Sequence, residues 1–152
     1  MMEPRSVSFV VFGCPQPKGS AKAFKHPHTG RIIVQADNRK PLKSWEASIR
    51  YAAQQQAGDA FFLDAVRIDL AFYFERPKSV SPKRRPFMTT RPDVDKCARG
   101  AVDALIGTLI TDDALVVSLS ASKQYARNGE GPHAEITITE VLPAAAEGRL
   151  SL

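Results

Sequence analysis

The sequence predicts a single α+β domain in which a mixed or antiparallel β-sheet packs against two helices. Short β-branched and aromatic runs with strand-like patterning are interrupted by two longer stretches of helical periodicity. No internal repeat or linker divides the 152 residues. A chain of about 150 residues buries roughly 70% of the surface that its unfolded form exposes, which suits one core. We place the domain at residues 1–142 and expect residues 143–152 to form a flexible C-terminal tail.

Composition narrows the functional class. Apolar residues make up 43% of the chain and charged residues 24%, as in ordinary globular proteins. No apolar run approaches the roughly 18 residues of a membrane span, and no secretory signal is recognisable, so we expect a cytoplasmic protein. Cys14 and Cys97 lack neighbouring cysteines at metal-ligand spacing, which excludes a zinc module and favours reduced thiols. The net charge of +5 favours a polyanionic partner such as nucleic acid.

The first half of the chain predicts two strands and one helix. Residues 6–12 (SVSFVVF) form an apolar strand that ends at a glycine and a proline. Residues 14–40 form a basic loop with a short ribbon at 31–34. Pro41 suits a first helical position, and the spacing of Trp45, Ile49 and Ala53 predicts a helix over residues 41–57. Residues 65–74 predict a central strand, whose Phe72 and Phe74, like Trp45, belong to the core.

The second half predicts a basic loop, a helix and two strands. Residues 76–91 contain three prolines, six basic residues and no acid, as in an exposed loop. A helix follows from about Asp93 to Gly107, with Cys97, Ala101 and Leu105 on one face. Residues 111–113 form a turn, and alternating patterns predict strands over residues 115–121 and 134–141, joined by a turn at 128–131.

Four aspartates stand at the ends of predicted elements. Asp93 and Asp95 lie two residues apart at a loop-to-helix junction, and Asp112 and Asp113 precede a strand. Mg²⁺ prefers oxygen ligands, commonly one or two carboxylates with water and phosphate oxygens, so these side chains can supply such a site. Aspartates are also ordinary helix-capping and turn residues, and spacing alone favours that structural interpretation. The basic loops shift the balance, because a carboxylate cluster repels DNA unless a cation bridges the two charges.

Three blocks of sequence resemble one family. The first is GCPQPKG at residues 13–19, the second is PDVD at 92–95 continuing through AVDAL at 101–105, and the third is DDALV at 112–116 with Lys123 downstream. Together they resemble the RusA family of Holliday-junction resolvases, small proteins often encoded by phages and prophages, over about residues 9–141. Each block is common, but all three in this order are unlikely to coincide by chance.

The resemblance implies an RusA-like endonuclease domain over residues 1–142. It implies a Mg²⁺-dependent endodeoxyribonuclease, with Mn²⁺ as a substitute ion, that resolves Holliday junctions and other branched DNA by paired phosphodiester hydrolysis. Paired cuts further imply a homodimer. The implied metal ligands are Asp93, Asp95 and Asp113. Arg99 joins them as a catalytic residue, with Asp112 and Lys96 auxiliary. The implied DNA-binding residues are Lys18, Lys22, Lys25, Lys83, Arg84, Arg85, Arg91 and Lys123.

The chain departs from the family at two positions. The family usually has Asn where Lys96 stands and Lys where Arg99 stands; Arg99 keeps the positive charge but loses any proton-transfer role. Asp95, Arg99 and Asp103 also fall at four-residue spacing, so a salt-bridged helix face is an equal interpretation, with Asp103 structural. The alternative function is therefore a catalytically impaired DNA-structure-binding protein of a phage or prophage, in which the aspartates act as caps.

Overall fold

The predicted α+β architecture is confirmed by a computed structural model that describes residues 3–19, 21–36 and 39–144. Within that part, a four-stranded sheet, a two-stranded ribbon and two helices form the fold. The elements in chain order are β1 (Ser6–Phe12), β2 (Ala21–Lys25), β3 (Ile32–Ala36), α1 (Arg39–Ala57), β4 (Val66–Phe74), α2 (Val94–Leu105), β5 (Val116–Tyr125) and β6 (His133–Glu140). A single 3-10 turn, Asp113–Leu115, precedes β5.

The main sheet is mixed, with strand order β1-β6-β4-β5. β6 pairs antiparallel with both β1 and β4, whereas β4 and β5 run parallel. Parallel strands need a crossover connection, and α2 lies in the segment that joins β4 to β5. This crossover brings the end of α2 to the start of β5.

One face of the sheet and one face of each helix form the core. Phe9, Ile136 and Leu70 are paired across β1, β6 and β4, and all three are buried. Trp45 and Ile49 of α1 are buried as well, four residues apart on one helical face. The core role predicted for Trp45, Phe72 and Phe74 is thus confirmed, because all three are buried.

The other face of the sheet is polar. Its strands are joined by hydroxyl pairs, with Ser8 Oγ 2.8 Å from Thr137 Oγ1 and Ser6 Oγ 3.1 Å from Thr139 Oγ1. Ser120 Oγ donates to Asp69 Oδ1 at 2.6 Å between β5 and β4. Side chains alternate between the two faces of a strand, so the apolar face is the one that packs against the helices.

Two element boundaries differ from the sequence prediction. The strand predicted at 115–121 continues to Tyr125, and the ribbon predicted at 31–34 is the second strand of the β2–β3 hairpin. The first strand, β2, lies where the sequence predicts a loop. Residues 145–152 of the predicted tail lie outside the described residues. No helix in the described part of the chain is long and apolar enough to span a membrane.

Candidate active site

Helix α2 presents a polar stripe opposite its buried face. Cys97, Ala101 and Leu105 are fully buried against the core, which fixes the rotation of the helix. Asp95, Arg99 and Asp103 follow one another at four-residue intervals, and residues so spaced lie above one another on a helix. Three charged side chains therefore leave α2 along one side.

The segment after α2 returns the chain to that charged side. Gly107 has a φ of +84°, a left-handed conformation that suits glycine after a helix. The Leu109 N–H donates to the Leu105 carbonyl at 2.9 Å, and Leu109 and Ile110 are buried. This anchored turn leads into Asp112 and Asp113, which stand immediately before β5.

A cavity of about 610 Å³ lies between α2, the start of β5 and the loop after β1. Its charged lining comes from Lys18, Asp95, Arg99, Asp103 and Asp113. Its apolar lining comes from Val94, Ala98, Val102, Val116, Leu119 and Ala121. Asp95 and Asp113, 18 residues apart in sequence, thus open onto one space beside two cations.

The loop after β1 is held against the middle of α2. A Cβ atom at Gly100 would lie 3.2 Å from the Gln16 carbonyl oxygen, so a side chain there would push the loop away. The Lys18 N–H donates to the Lys96 carbonyl at 2.9 Å. From that anchor, Lys18 Nζ reaches Asp103 Oδ2 at 2.8 Å.

The carboxyl groups of Asp112 and Asp113 are hydrogen-bonded to each other. The bond from Asp112, together with its charge, raises the pKa of Asp113 above the usual 3.8, and the charge of Asp103 adds to the effect. The same bond lowers the pKa of Asp112, helped by the backbone N–H of Ala114. Two acids placed in this way repel each other when both are ionised.

Asp93 is placed differently from Asp95 and Asp113. It is the N-cap of α2 but its side chain makes no capping hydrogen bond, and it does not line the cavity. Its carboxylate is 3.7 Å from Lys96 Nζ, and both side chains are about half exposed. Among residues 3–19, 21–36 and 39–144, no three His, Cys, Asp or Glu side chains are grouped so that they could hold a metal ion. The three-aspartate set is therefore not preassembled, although the cavity joins two of its members.

Arg99 is exposed and lines the cavity. No carboxylate of the described residues lies within 4.0 Å of it, since Asp103 is paired with Lys18 instead. The salt-bridged helix face that the four-residue spacing allowed is not formed by these three residues. Sequence spacing places Asp103 on the same face of α2 as Asp95 and Arg99 but does not identify it as a cavity residue. Its position on the face of those two predicted site residues was the signal that could have identified it.

Apart from Lys18, which lines the cavity, and Lys22, the residues predicted to bind DNA fall into two groups. Lys25, Lys83, Arg84 and Arg91 are exposed in loops or at a strand end, whereas the side chain of Lys22 lies outside the described part of the chain. Lys123 and Arg85 are half-buried and already engaged. Lys123 Nζ donates to the Thr90 and Pro92 carbonyls at 2.6 and 2.8 Å, and Arg85 Nη1 donates to the Tyr125 hydroxyl at 3.4 Å. Lys123 thereby fixes the segment that leads into Asp93.

Both cysteines are free thiols, as the sequence predicted. Burial raises the pKa of Cys97 to about 12, and it raises that of Cys14 as well, assisted by the charge of Glu75. A nucleophilic cysteine needs a lowered pKa, so neither thiol is suited to that role.

Comparison with known proteins agrees with this arrangement. The family model described as "Endodeoxyribonuclease RusA" matches residues 13–139, which include every charged residue of the cavity. The chain belongs to the RusA family. RusA-family membership indicates an endodeoxyribonuclease, of the kind that resolves Holliday junctions. The resemblance first suggested by the three sequence blocks is confirmed.

A relative of this RusA-family chain occurs in Bacillus subtilis (strain 168). The protein YqaN is 32% identical over 152 aligned residues, which cover 89% of this chain and 96% of YqaN. YqaN is described as uncharacterized, so this similarity adds no activity.

Proposed function

We propose that the chain is a Mg²⁺-dependent endonuclease, with Mn²⁺ as a substitute ion, that resolves Holliday junctions and other branched DNA by paired phosphodiester hydrolysis. One observation carries the proposal: Asp95 and Asp113 line the same cavity as Lys18 and Arg99. Carboxylate oxygens suit a hard divalent cation, and cationic side chains suit a phosphate. A metal nuclease needs both in one place.

The donor set fits magnesium. Mg²⁺ commonly takes only one or two carboxylates and completes its shell with water and substrate phosphate oxygens, so a preassembled three-acid cage is not required. Asp95 and Asp113 would hold the ion, with Asp93 as a third ligand from the start of α2. The hydrogen-bonded acids Asp112 and Asp113 favour a nearby positive charge, because a cation relieves their repulsion. When bound, the ion polarises a phosphoryl oxygen and lowers the pKa of an attacking water.

The remaining cavity residues act on the phosphate and its surroundings. Arg99 has no carboxylate partner within 4.0 Å among the described residues, so its guanidinium is available to a phosphate oxygen. The apolar wall, which includes Val102 and Leu119, would exclude water from part of the cavity once a DNA strand covers it. Charge interactions strengthen where water is excluded, which favours stabilisation of charge that develops on the phosphate.

The basic loops would bind the arms of the junction. Lys83, Arg84 and Arg91 are exposed in the loop between β4 and α2, and Lys25 is exposed at the end of β2. Contacts with phosphates give affinity with a strong dependence on salt. Two symmetric cuts require two active sites, so we propose a twofold homodimer as the acting form.

Purified protein incubated with a labelled four-way junction, with Mg²⁺ or with EDTA, tests the proposal. We expect paired nicks in Mg²⁺ and none in EDTA. Asp95→Asn removes a ligand charge with little change in volume, so it should abolish cutting and preserve junction binding. Asp59→Asn, at an exposed aspartate outside the cavity, is the matched control and should cut like the wild type.

Binding without metal-dependent nicking would contradict the proposal. It would favour the alternative, a catalytically impaired DNA-structure-binding protein, for which Lys96 and Arg99 in place of the family's Asn and Lys are the motivating observation. Loss of both binding and cutting in Asp95→Asn would instead indicate that Asp95 supports folding.

A further inference from the structure

We infer that Asp103 is a positioning residue that holds the ammonium group of Lys18 in the cavity, where Lys18 receives the phosphate that is cut. The inference rests on the proposed endonuclease function. It gives Asp103 a role in the site, whereas the sequence predicts a purely structural role in α2. It also explains how Lys18, from a loop distant in sequence, lies beside Asp95 and Asp113.

The backbone of Lys18 is fixed before its side chain is considered. Its N–H donates to the Lys96 carbonyl on the first turns of α2 at 2.9 Å. The preceding loop passes so close to Gly100 that a Cβ there would lie 3.2 Å from the Gln16 oxygen. With the main chain seated on the helix, only the lysine side chain remains to be oriented.

Asp103 supplies that orientation. Its Oδ2 is 2.8 Å from Lys18 Nζ, the shortest ion pair between described residues. Asp103 lies two helical turns beyond Asp95 on the same side of α2, so the ammonium is drawn over the polar stripe. Both partners line the cavity and are partly exposed, at 39% for Lys18 and 26% for Asp103. The pair is therefore open to a ligand that enters the cavity.

The pair leaves the lysine with binding capacity. An ammonium group has three N–H donors, and Asp103 occupies one of them. The other two can be given to phosphate oxygens while the ion pair persists. A side chain that is already oriented loses less conformational entropy when the phosphate binds, so Asp103 raises the effectiveness of Lys18 without touching the substrate.

Kinetic variants test the role of the pair. Asp103→Asn and Lys18→Met should each lower kcat for junction cutting in saturating Mg²⁺ by about 10–100-fold, the range for loss of a residue that orients a site group. The double variant should be little worse than Lys18→Met, because the two act as a unit. Lys18→Arg, which keeps the charge, should recover part of the rate. The partly exposed ion pair of α1, Glu46 with Arg50 at 3.6 Å, gives the matched controls Glu46→Gln and Arg50→Met, which should cut normally.

A charge exchange separates positioning from folding. Lys18→Asp combined with Asp103→Lys restores an ion pair with the opposite orientation, so it should restore the Tm but not kcat. Recovery of cutting to the wild-type rate would overturn the inference, because the pair would then only join the loop to α2. Unchanged kcat in Asp103→Asn would overturn it as well.

Junction binding in EDTA at several salt concentrations needs neither metal nor cutting. Lys18→Met should reduce the slope of log K against log salt by about 0.9, the loss of one phosphate contact. Asp103→Asn should also reduce the slope, because Lys18 is then no longer held toward the phosphate. Loss of a negative charge from the DNA-binding side would by itself have the opposite effect and strengthen binding. A stronger affinity with an unchanged slope in Asp103→Asn would contradict the inference. A wild type that binds but never cuts would instead overturn the proposed function and leave the salt slope to decide the role of Asp103.

Discussion

Two aspartates of one cavity, Asp103 and Asp113, have opposite partners. Asp103 faces the Lys18 ammonium at 2.8 Å, so its charge is offset within the protein. Asp113 faces the carboxyl group of Asp112, and its pKa is raised because the two acids share a hydrogen bond and repel each other when both are ionised. Both side chains line the same space, yet of the two only Asp103 has a cation of the described residues within 4.0 Å.

The difference divides the cavity into two sides. An additional cation gains little from a carboxylate that already has an ammonium partner, whereas it gains from two acids whose repulsion it relieves. We therefore expect a divalent ion to bind beside Asp113 and the phosphate to contact the side where Lys18 and Arg99 lie. Equal effects of substitutions at Asp103 and Asp113 would contradict this division of the cavity.

The largest effect is expected from Asp113→Asn. Cutting should fall by more than about 100-fold, because loss of a direct ligand should exceed the 10–100-fold loss seen for residues that only orient ligands. Mn²⁺ binding, followed by the electron paramagnetic resonance signal of the free ion, should weaken in parallel. Asp103→Asn is the matched variant and should bind Mn²⁺ like the wild type. Loss of Mn²⁺ binding in Asp103→Asn with retention in Asp113→Asn would reverse the assignment of the two sides.

The pH dependence of metal binding is the next effect. A proton on Asp113 competes with the ion, and the pKa of Asp113 lies above 3.8. The apparent Mn²⁺ affinity of the wild type should therefore begin to fall at a higher pH than an ordinary aspartate would give. Asp112→Asn removes the charge that raises this pKa, so the fall should move to lower pH. Titrations of both proteins in the absence of DNA measure the shift, and coincident curves would show that Asp112 does not control Asp113.

The parts of this site that could be predicted from sequence are the local ones. Helical periodicity placed Asp95, Arg99 and Asp103 on one side of α2, and Gly107 marked where the helix ends. The extension of β5 to Tyr125 was missed because Ser122, Lys123 and Gln124 read as polar. In the structure Lys123 donates to two backbone carbonyls, and these residues continue the parallel pairing with β4.

The pairing of charges could not be predicted from sequence. Lys18 and Asp103 are 85 residues apart, and their contact depends on the close approach of a loop to Gly100. Local spacing instead suggested that Asp103 would pair with Arg99, its neighbour one turn away. Helical ion pairs at that spacing stabilise by only about 0.2–0.5 kcal/mol, so a tertiary partner readily replaces them.

Stability should show the smallest difference between the two aspartates. At pH 7 without divalent ions, Asp103→Asn should lower the free energy of unfolding by at most about 1 kcal/mol, because both partners are partly exposed and solvent screens the pair. The corresponding fall in Tm is about 2–4 °C for a chain of this size.

Asp113→Asn should not lower the Tm. A raised pKa means that the folded state binds the Asp113 proton more tightly than the unfolded state, so its contribution to stability is present below pH 3.8 and is lost as pH rises through the folded value. At pH 7 the ionised Asp113 repels Asp112, and asparagine removes that repulsion. Thermal melts of both variants measure the contrast. An equal fall in Tm would mean that the Asp112–Asp113 pair supports the turn before β5. The contrast between Asp103, whose charge is offset by Lys18, and Asp113, whose charge is not, would then lose its physical basis.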